Sequence, residues 1–127
     1  MILKRIVLCV VFVLFMHSTP AVPHTENKVL WDNIPSAMEH AKQSSKMCIL
    51  IFGADWCSYC IKLKNQVLKD PNLTNDAVIC YIDIDDQPEM AKKYNATTLP
   101  KTLYFLNGKD VKTIVGYHNM IPIMEQL

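Results

Sequence analysis

The sequence predicts a single α/β domain in which a central mixed β-sheet is flanked by helices. Two continuous apolar runs, residues 47–52 and 77–84, are typical of strands that are buried on both faces. Segments with helical periodicity separate these runs, and an Asn107-Gly108 pair between two further apolar segments is a strong hairpin signal. Helices that alternate with strands, closed by an antiparallel hairpin, favour a mixed sheet with helices on both faces.

The first half of the domain is predicted to contain a strand between two helices. Apolar residues at positions 34, 37, 38 and 41 have the i, i+3, i+4, i+7 spacing of an amphipathic helix, which is predicted over residues 35–44. The buried strand 47–52 follows. The second helix, over residues 57–69, has apolar side chains on one side and lysines mainly on the others, and Pro71 ends it.

The second half is predicted to contain three strands. Strand 77–84 leads into a short helix, 88–94, with a proline in its first turn. The hairpin strands are 102–106 and 111–115, and the tail 119–127 can form only a short last helix.

Two thiols three residues apart carry the chemistry. Cys57 and Cys60 can open and close one disulfide with little movement of the backbone, so their spacing indicates a redox couple. A buried strand precedes the pair and a helix follows it, which places Cys57 at a helix N-terminus. The unpaired backbone N–H groups and the helix dipole there stabilise a thiolate and lower the pKa of the thiol.

The chain resembles the thioredoxin superfamily over residues 29–127. The features that carry the resemblance are Ala54-Asp55-Trp56-Cys57 with Cys60, the segments 82–88 and 94–100, Asn107-Gly108, and Gly116-Tyr117. Residues 54–57 and 69–72 are similar to secreted thioredoxin-like proteins and to the periplasmic C-terminal domain of the bacterial membrane thiol:disulfide interchange protein.

This resemblance implies a thioredoxin fold with its site at the carboxyl end of strand 47–52. It also implies a cis Leu99–Pro100 bond packed against the cysteine pair, where the backbone of Leu99 can pair with an extended substrate peptide. Trp56 is expected to cover one side of the pair with an apolar surface. The residues expected to bind substrate are Trp56, Ser58, Tyr59, Leu99 and Pro100.

The positions of the two cysteines suggest their roles. Cys57, nearer the helix start and solvent, is expected to attack a substrate disulfide and form a mixed disulfide, which Cys60 then resolves. Ile51 and Tyr81 stand where the thioredoxin pattern has a buried aspartate and a lysine, which leaves open what deprotonates Cys60. Either Tyr59 or a water could serve. The Ser58-Tyr59 pair also matches neither the Gly-Pro of thioredoxin nor the Pro-His of strong periplasmic oxidants.

Metal binding, haem attachment and a structural crosslink fit the cysteine motif less well than redox chemistry does. A structural zinc site needs four ligands, and no second C-x-x-C or C-x-x-H pair exists, so neither a metal nor another cofactor is expected. Ile61 follows Cys60, whereas covalent haem attachment needs a histidine there. A purely structural disulfide is an alternative, although so short a loop constrains the unfolded chain little.

The remaining cysteines of the domain, Cys48 and Cys80, fall in the two apolar strand runs. The family's register places Cys48 opposite Val78 and Cys80 opposite Leu50, so the two are diagonal neighbours about 7 to 8 Å apart, outside easy disulfide geometry. Both are expected to remain buried, inert thiols.

The N-terminal segment has the three parts of a secretory signal peptide over residues 1–21. Two basic residues precede an apolar run over 6–16, and a cleavage site is expected after Ala21. The run is shorter than the roughly 20 residues that span a bilayer, and an uncleaved anchor is the alternative. A short polar linker, 22–28, leads into the thioredoxin-like domain, 29–127. Cleavage leaves eleven basic and twelve acidic residues, which recruit neither nucleic acid nor an anionic membrane.

The expected function is that of a periplasmic or secreted thiol:disulfide oxidoreductase that reduces disulfides of secreted proteins. Its expected partners are secreted proteins with disulfides or thiols and an upstream thiol donor, for which a membrane thiol:disulfide interchange protein is a candidate. No association with nucleic acid, or with the membrane after signal cleavage, is expected. The alternatives are an oxidase or isomerase of disulfides, and a peptide-binding chaperone module in which Cys57–Cys60 is a structural disulfide.

Overall fold

A computed structural model of the protein describes residues 30–127. The expected signal peptide and polar linker therefore lie outside the described residues. In chain order the elements are α1 (Ile34–Gln43), β1 (Met47–Gly53), α2 (Ser58–Lys69), α3 (Pro71–Asp76), β2 (Ala77–Asp83), α4 (Pro88–Lys93), β3 (Lys101–Leu106), β4 (Lys109–Val115) and α5 (Ile121–Met124). Within this part of the chain no helix has the length and apolar character needed to cross a membrane.

The strands of the described residues form one mixed sheet in the order β2-β1-β3-β4. Strand β1 is parallel to β2 and antiparallel to β3, and β3 and β4 form the closing hairpin. The turn between them has φ values of 51° at Asn107 and 76° at Gly108, a left-handed conformation that asparagine and glycine adopt most easily. The predicted mixed sheet flanked by helices is confirmed.

The core lies on both faces of the sheet. All seven residues of β1 are buried, which explains why its sequence is continuously apolar rather than alternating. On one face, Leu50 and Phe52 pack in a cluster with Ala37 of α1. On the other, Ile49 and Ile51 pack with residues of α2, α3 and β2, and Tyr104 of β3 belongs to the same cluster.

Helix α3 is not predicted by the sequence pattern, in which Pro71 serves only to end α2. Asp70 caps both helices: it is the C-cap of α2, and its carboxylate accepts hydrogen bonds from the backbone N–H groups of Asn72 at 3.0 Å and Leu73 at 3.4 Å. Pro71 occupies the first turn of α3, where its missing N–H costs nothing. Pro71 therefore lies just after the end of α2 and is also the first residue of α3.

The register of Cys48 and Cys80 agrees with the prediction. Cys48 pairs with Val78 and Cys80 with Leu50, and both residues are buried thiols. Burial raises the pKa of Cys48 to about 12, so this thiol stays protonated and unreactive at neutral pH.

Candidate active site

The cysteine motif lies where β1 ends and α2 begins. The buried Ala54 leads out of the strand, and the N–H of Cys57 donates to the carbonyl of Ala54 at 3.1 Å. Cys57 is the N-cap of α2, with extended backbone angles (φ −98°, ψ 106°), and its Sγ accepts a hydrogen bond from the N–H of Cys60 at 3.3 Å. The cysteine thus occupies the capping position that an oxygen-bearing side chain usually fills, and it faces the unpaired N–H groups of the first turn.

Cys57 and Cys60 form a disulfide, with their Cα atoms 5.2 Å apart. The two residues differ in exposure: Cys57 is partly exposed, whereas Cys60 is fully buried on the inner side of α2. An incoming molecule can therefore reach the sulfur of Cys57 but not that of Cys60.

The Leu99–Pro100 peptide bond is cis and lies at the same end of the sheet. Phe52 pairs with Lys101 in the antiparallel β1–β3 ladder, so the two residues that precede Lys101 lie beside the carboxyl end of β1. Pro100 is buried, and its carbonyl accepts a hydrogen bond from the N–H of Gly116 at 2.8 Å. The sheet register thereby brings together two motifs that lie about 40 residues apart in the sequence.

Trp56 is 70% exposed beside the motif, and its indole N–H donates a 2.8 Å hydrogen bond to a carboxylate oxygen of Asp85. Asp85 follows β2, so this bond links the loop after β1 to the loop after β2. Neither this bond nor any role of Asp85 is predicted from the sequence, because the two residues are 29 positions apart and only the parallel pairing of β1 and β2 brings them together.

A second group of exposed side chains lies around Tyr59 of the motif. The rings of Tyr59 and Tyr117 are 6.2 Å apart between centroids, and the ammonium group of Lys62 lies 4.4 Å from the centre of the Tyr117 ring. Sequence reasoning identified Tyr117 only as part of the Gly116-Tyr117 pair and did not connect it with the site.

Ile51 and Tyr81 occupy the two strand positions at which the thioredoxin pattern has a buried aspartate and a lysine. Ile51 is fully buried, and Tyr81 pairs with it on β2. Desolvation, followed in size by the nearby carboxylates of Asp83 and Asp55, raises the pKa of Tyr81 to about 12. The ammonium group of Lys64 in α2 lies 4.6 Å from the centre of the Tyr81 ring. Within residues 30–127 no three His, Cys, Asp or Glu side chains are grouped so that they could hold a metal ion.

Comparison with known proteins gives a family that accounts for this arrangement. Residues 34–126 match the model of the thioredoxin-like domain family. The chain belongs to the thioredoxin-like domain family. With its Cys57–Cys60 disulfide, this thioredoxin-like protein is a thiol:disulfide oxidoreductase. The predicted membership of the thioredoxin superfamily is confirmed.

Curated relatives of this thioredoxin-like chain include bacterial and plant thioredoxins. Thioredoxin of Mycoplasma genitalium is 30% identical over 88 residues, which are 69% of this chain and 86% of that protein. Thioredoxin H2 of Arabidopsis thaliana is 29% identical over 75 residues, which are 59% of this chain but only 56% of the plant protein.

Solved thioredoxin structures show the same fold. Oxidised thioredoxin O2 from Arabidopsis thaliana superimposes with a TM-score of 0.67 at 24% identity, covering 80% of this chain and 96% of the plant chain. At this identity the likeness speaks for the thioredoxin fold alone.

Proposed function

We propose that this thioredoxin-like protein reduces disulfides of secreted proteins, with Cys57 as the attacking thiol and Cys60 as the resolving thiol. The observation that carries the proposal is the unequal exposure of the pair: Cys57 caps α2 and is partly exposed, whereas Cys60 is fully buried. A substrate therefore reaches the sulfur of Cys57 first. The Cys57 thiolate is stabilised by hydrogen bonds and by the helix dipole at the N-terminus of α2.

The reaction has two exchange steps. In the first, the Cys57 thiolate attacks one sulfur of the substrate disulfide, the substrate S–S bond breaks, and the departing sulfur takes a proton from solvent. In the second, the Cys60 thiolate attacks the Sγ of Cys57, and the second substrate sulfur leaves. The substrate gains two electrons and the Cys57–Cys60 disulfide re-forms, so an upstream thiol donor must reduce the protein before the next cycle.

The surface around Cys57 supports binding of an extended peptide. Leu99 lies at the same end of the sheet, and its backbone N–H and C=O would pair with the peptide in the manner of an added strand. The exposed rings of Trp56 and Tyr59, which are near Cys57 in the chain, offer apolar contact, and Ser58 offers a hydroxyl. The expected substrate-binding role of Pro100 is to hold Leu99 in place.

The location and the direction of electron flow rest on the sequence. The signal-like segment 1–21 supports export to the periplasm or secretion, and N-terminal sequencing of the exported protein should begin at Val22. The likeness of residues 54–57 and 69–72 to the interchange-protein domain supports reduction and suggests a membrane thiol:disulfide interchange protein as donor. Retention of residues 1–21 would instead favour the membrane-anchored alternative.

The assignment of the two cysteines is tested by trapping. The Cys60→Ala variant should accumulate a mixed disulfide with a disulfide-containing substrate peptide, because nothing resolves the Cys57–substrate bond. The Cys57→Ala variant is the matched control and should trap none, since Cys60, Cys48 and Cys80 are all buried. Mass spectrometry of the quenched reactions measures both, and equal trapping by the two variants would refute the assignment.

Turnover separates reduction from peptide holding. With dithiothreitol as donor, the unaltered protein should accelerate reduction of insulin, and the Cys57→Ala variant should not. Suppression of insulin precipitation by both proteins, without faster reduction, would favour the chaperone alternative.

A further inference from the structure

Cys60 lies where an ionised sulfur is costly. Its side chain is fully buried, and burial among apolar groups raises the pKa of a thiol. Ile51, at the position of the family's aspartate, is also fully buried and has no polar side-chain atom. The resolving step nevertheless needs Cys60 as a thiolate, so a group that stabilises this thiolate has to come from elsewhere.

Tyr81 brings a hydroxyl group to this place. It pairs with Ile51 and packs in one buried cluster with Ile51 and with Leu63 of α2, which puts its ring on the α2 side of the sheet. A Cβ atom built on Gly53 would overlap the Tyr81 hydroxyl and would lie 3.0 Å from the Cβ of Cys60. The tip of the phenol and the base of the Cys60 side chain therefore border the same small space over Gly53.

Gly53 keeps this space open. The residue belongs to the regular strand β1, and its backbone is not among the positive-φ glycines, so no left-handed conformation demands glycine there. Glycine is needed at position 53 for steric reasons, because any side chain there would displace the phenol of Tyr81. A strand glycine of this kind marks the close approach of another group.

Burial and two nearby carboxylates keep the hydroxyl of Tyr81 protonated. The groups that face it are the carboxylates of Asp83, at the end of β2, and Asp55, in the loop after β1, together with the ammonium group of Lys64 on α2. Desolvation and the two carboxylates raise the pKa of the phenol to about 12. At neutral pH the hydroxyl is therefore a hydrogen-bond donor and not a base.

We propose that the hydroxyl of Tyr81 donates a hydrogen bond to the sulfur of Cys60 once the disulfide opens, and so positions and stabilises the thiolate that resolves the mixed disulfide. This inference rests on the proposed roles of Cys57 and Cys60. When Cys60 ionises, its proton goes to solvent, because the phenol already carries one. The Cys60 thiolate then forms the bond to Cys57 as the bond from Cys57 to the substrate sulfur breaks.

The test uses 5,5′-dithiobis(2-nitrobenzoate), which releases one coloured thiolate when Cys57 attacks and a second when Cys60 resolves. The Tyr81→Phe variant should leave the first phase unchanged in stopped-flow absorbance. The second phase should slow about tenfold at neutral pH, because hydrogen bonds to charged groups are among the stronger ones. In the reduced variant, the midpoint of the Cys60 ¹³Cβ titration should rise by about one pH unit.

The matched control is Tyr104→Phe, which removes a hydroxyl from the same face of the sheet. That hydroxyl lies 2.7 Å from the imidazole of His118 instead of beside Cys60, so both phases should keep their rates. Thr102→Val removes the hydroxyl from the residue that pairs with Ile51 on β3 and should also leave the Cys60 titration unchanged. An unshifted Cys60 titration in Tyr81→Phe, or an equal shift in either control, would overturn the role of Tyr81.

A measurement on the unaltered protein guards against variants that do not fold. In reduced protein with ¹³C-labelled tyrosine, the Cζ resonance of Tyr81 should move with the titration of Cys60, whereas that of Tyr104 should not. A Tyr81 resonance that is insensitive to Cys60 ionisation would overturn the proposal. Loss of the first coloured phase would instead contradict the proposed role of Cys57. The Cys60 ¹³Cβ titration and the response of the Tyr81 Cζ resonance would then decide the role of Tyr81.

Discussion

Thr102 places a polar hydroxyl group in the buried interior of the protein. Its side chain is fully buried in β3, and its hydroxyl has no hydrogen-bond partner among the described residues. A buried hydroxyl without a partner costs folding free energy, because it gave up hydrogen bonds to water in the unfolded chain.

The Thr102→Val variant should therefore raise the free energy of unfolding by about 1 kcal/mol, since valine has nearly the same shape and no polar group. Urea denaturation measures the change. Thr113→Val, the same substitution at an exposed position of β4, is the control and should change stability little. A destabilised Thr102→Val variant would show that the hydroxyl is satisfied in solution.

The environment of His118 makes the stability of the fold depend on pH. Its Nε2 lies 2.7 Å from the hydroxyl of the buried Tyr104, and its Nδ1 lies 3.2 Å from the carbonyl of Gly116. Burial lowers the pKa of His118; the Gly116 carbonyl acts in the opposite direction and Lys112 in the same one. The folded state therefore favours the neutral imidazole.

Because the pKa is lower in the folded protein than in the unfolded chain, the unfolded chain binds the proton first as the pH falls. Stability should be complete above the unfolded value of about 6.5 and should decrease as the pH falls through it towards the folded pKa. Thermal unfolding at stepwise pH values should show this decrease, and a His118→Gln variant should lose it. An identical pH dependence in both proteins would contradict the assignment.

At the scale of elements, the junction of α2 and α3 depends on one side chain. Asp70 ends the helix that carries the cysteines and caps the next, and its carboxylate also carries charge near the positive end of α3. The junction fixes where α2 stops and so supports the helix whose other end holds Cys57.

The Asp70→Ala variant should lose about 1 kcal/mol of unfolding free energy, the usual cost of removing an N-cap. Asp76→Ala removes the same group from the other end of α3, where no N–H needs a cap, and is the matched control. Chemical denaturation compares the two. Equal losses would attribute the effect to surface charge instead of capping.

At the scale of the whole molecule, the cysteine couple sets what the protein can do in its compartment. No histidine lies between Cys57 and Cys60 to stabilise the thiolate further, and a less stabilised thiolate makes the pair a weaker oxidant. The equilibrium potential against glutathione should therefore lie nearer the thioredoxin value of about −270 mV than the strong-oxidant value of about −120 mV. A measured value above about −150 mV would move the proposal to the oxidase alternative.

The sequence by itself determined all the elements except α3, together with the reacting pair, because these depend on local patterns. The apolar runs of β1 and β2 identify buried strands, Asn107-Gly108 identifies the hairpin, and the strand-to-helix change at Cys57 places that thiol at a helix start. Helix α3 escaped prediction because its six residues carry no periodic pattern and its proline indicates an end as readily as a beginning.

Only the tertiary structure decided which side chains from distant parts of the sequence meet around the cysteines. The Trp56–Asp85 hydrogen bond and the approach of Tyr81 over Gly53 both depend on strands paired in one particular register. The contact of Tyr59 with Tyr117 depends on where the chain runs after β4. No local preference selects these partners, because residues tens of positions apart meet only when burial of the whole sheet fixes strand order and register.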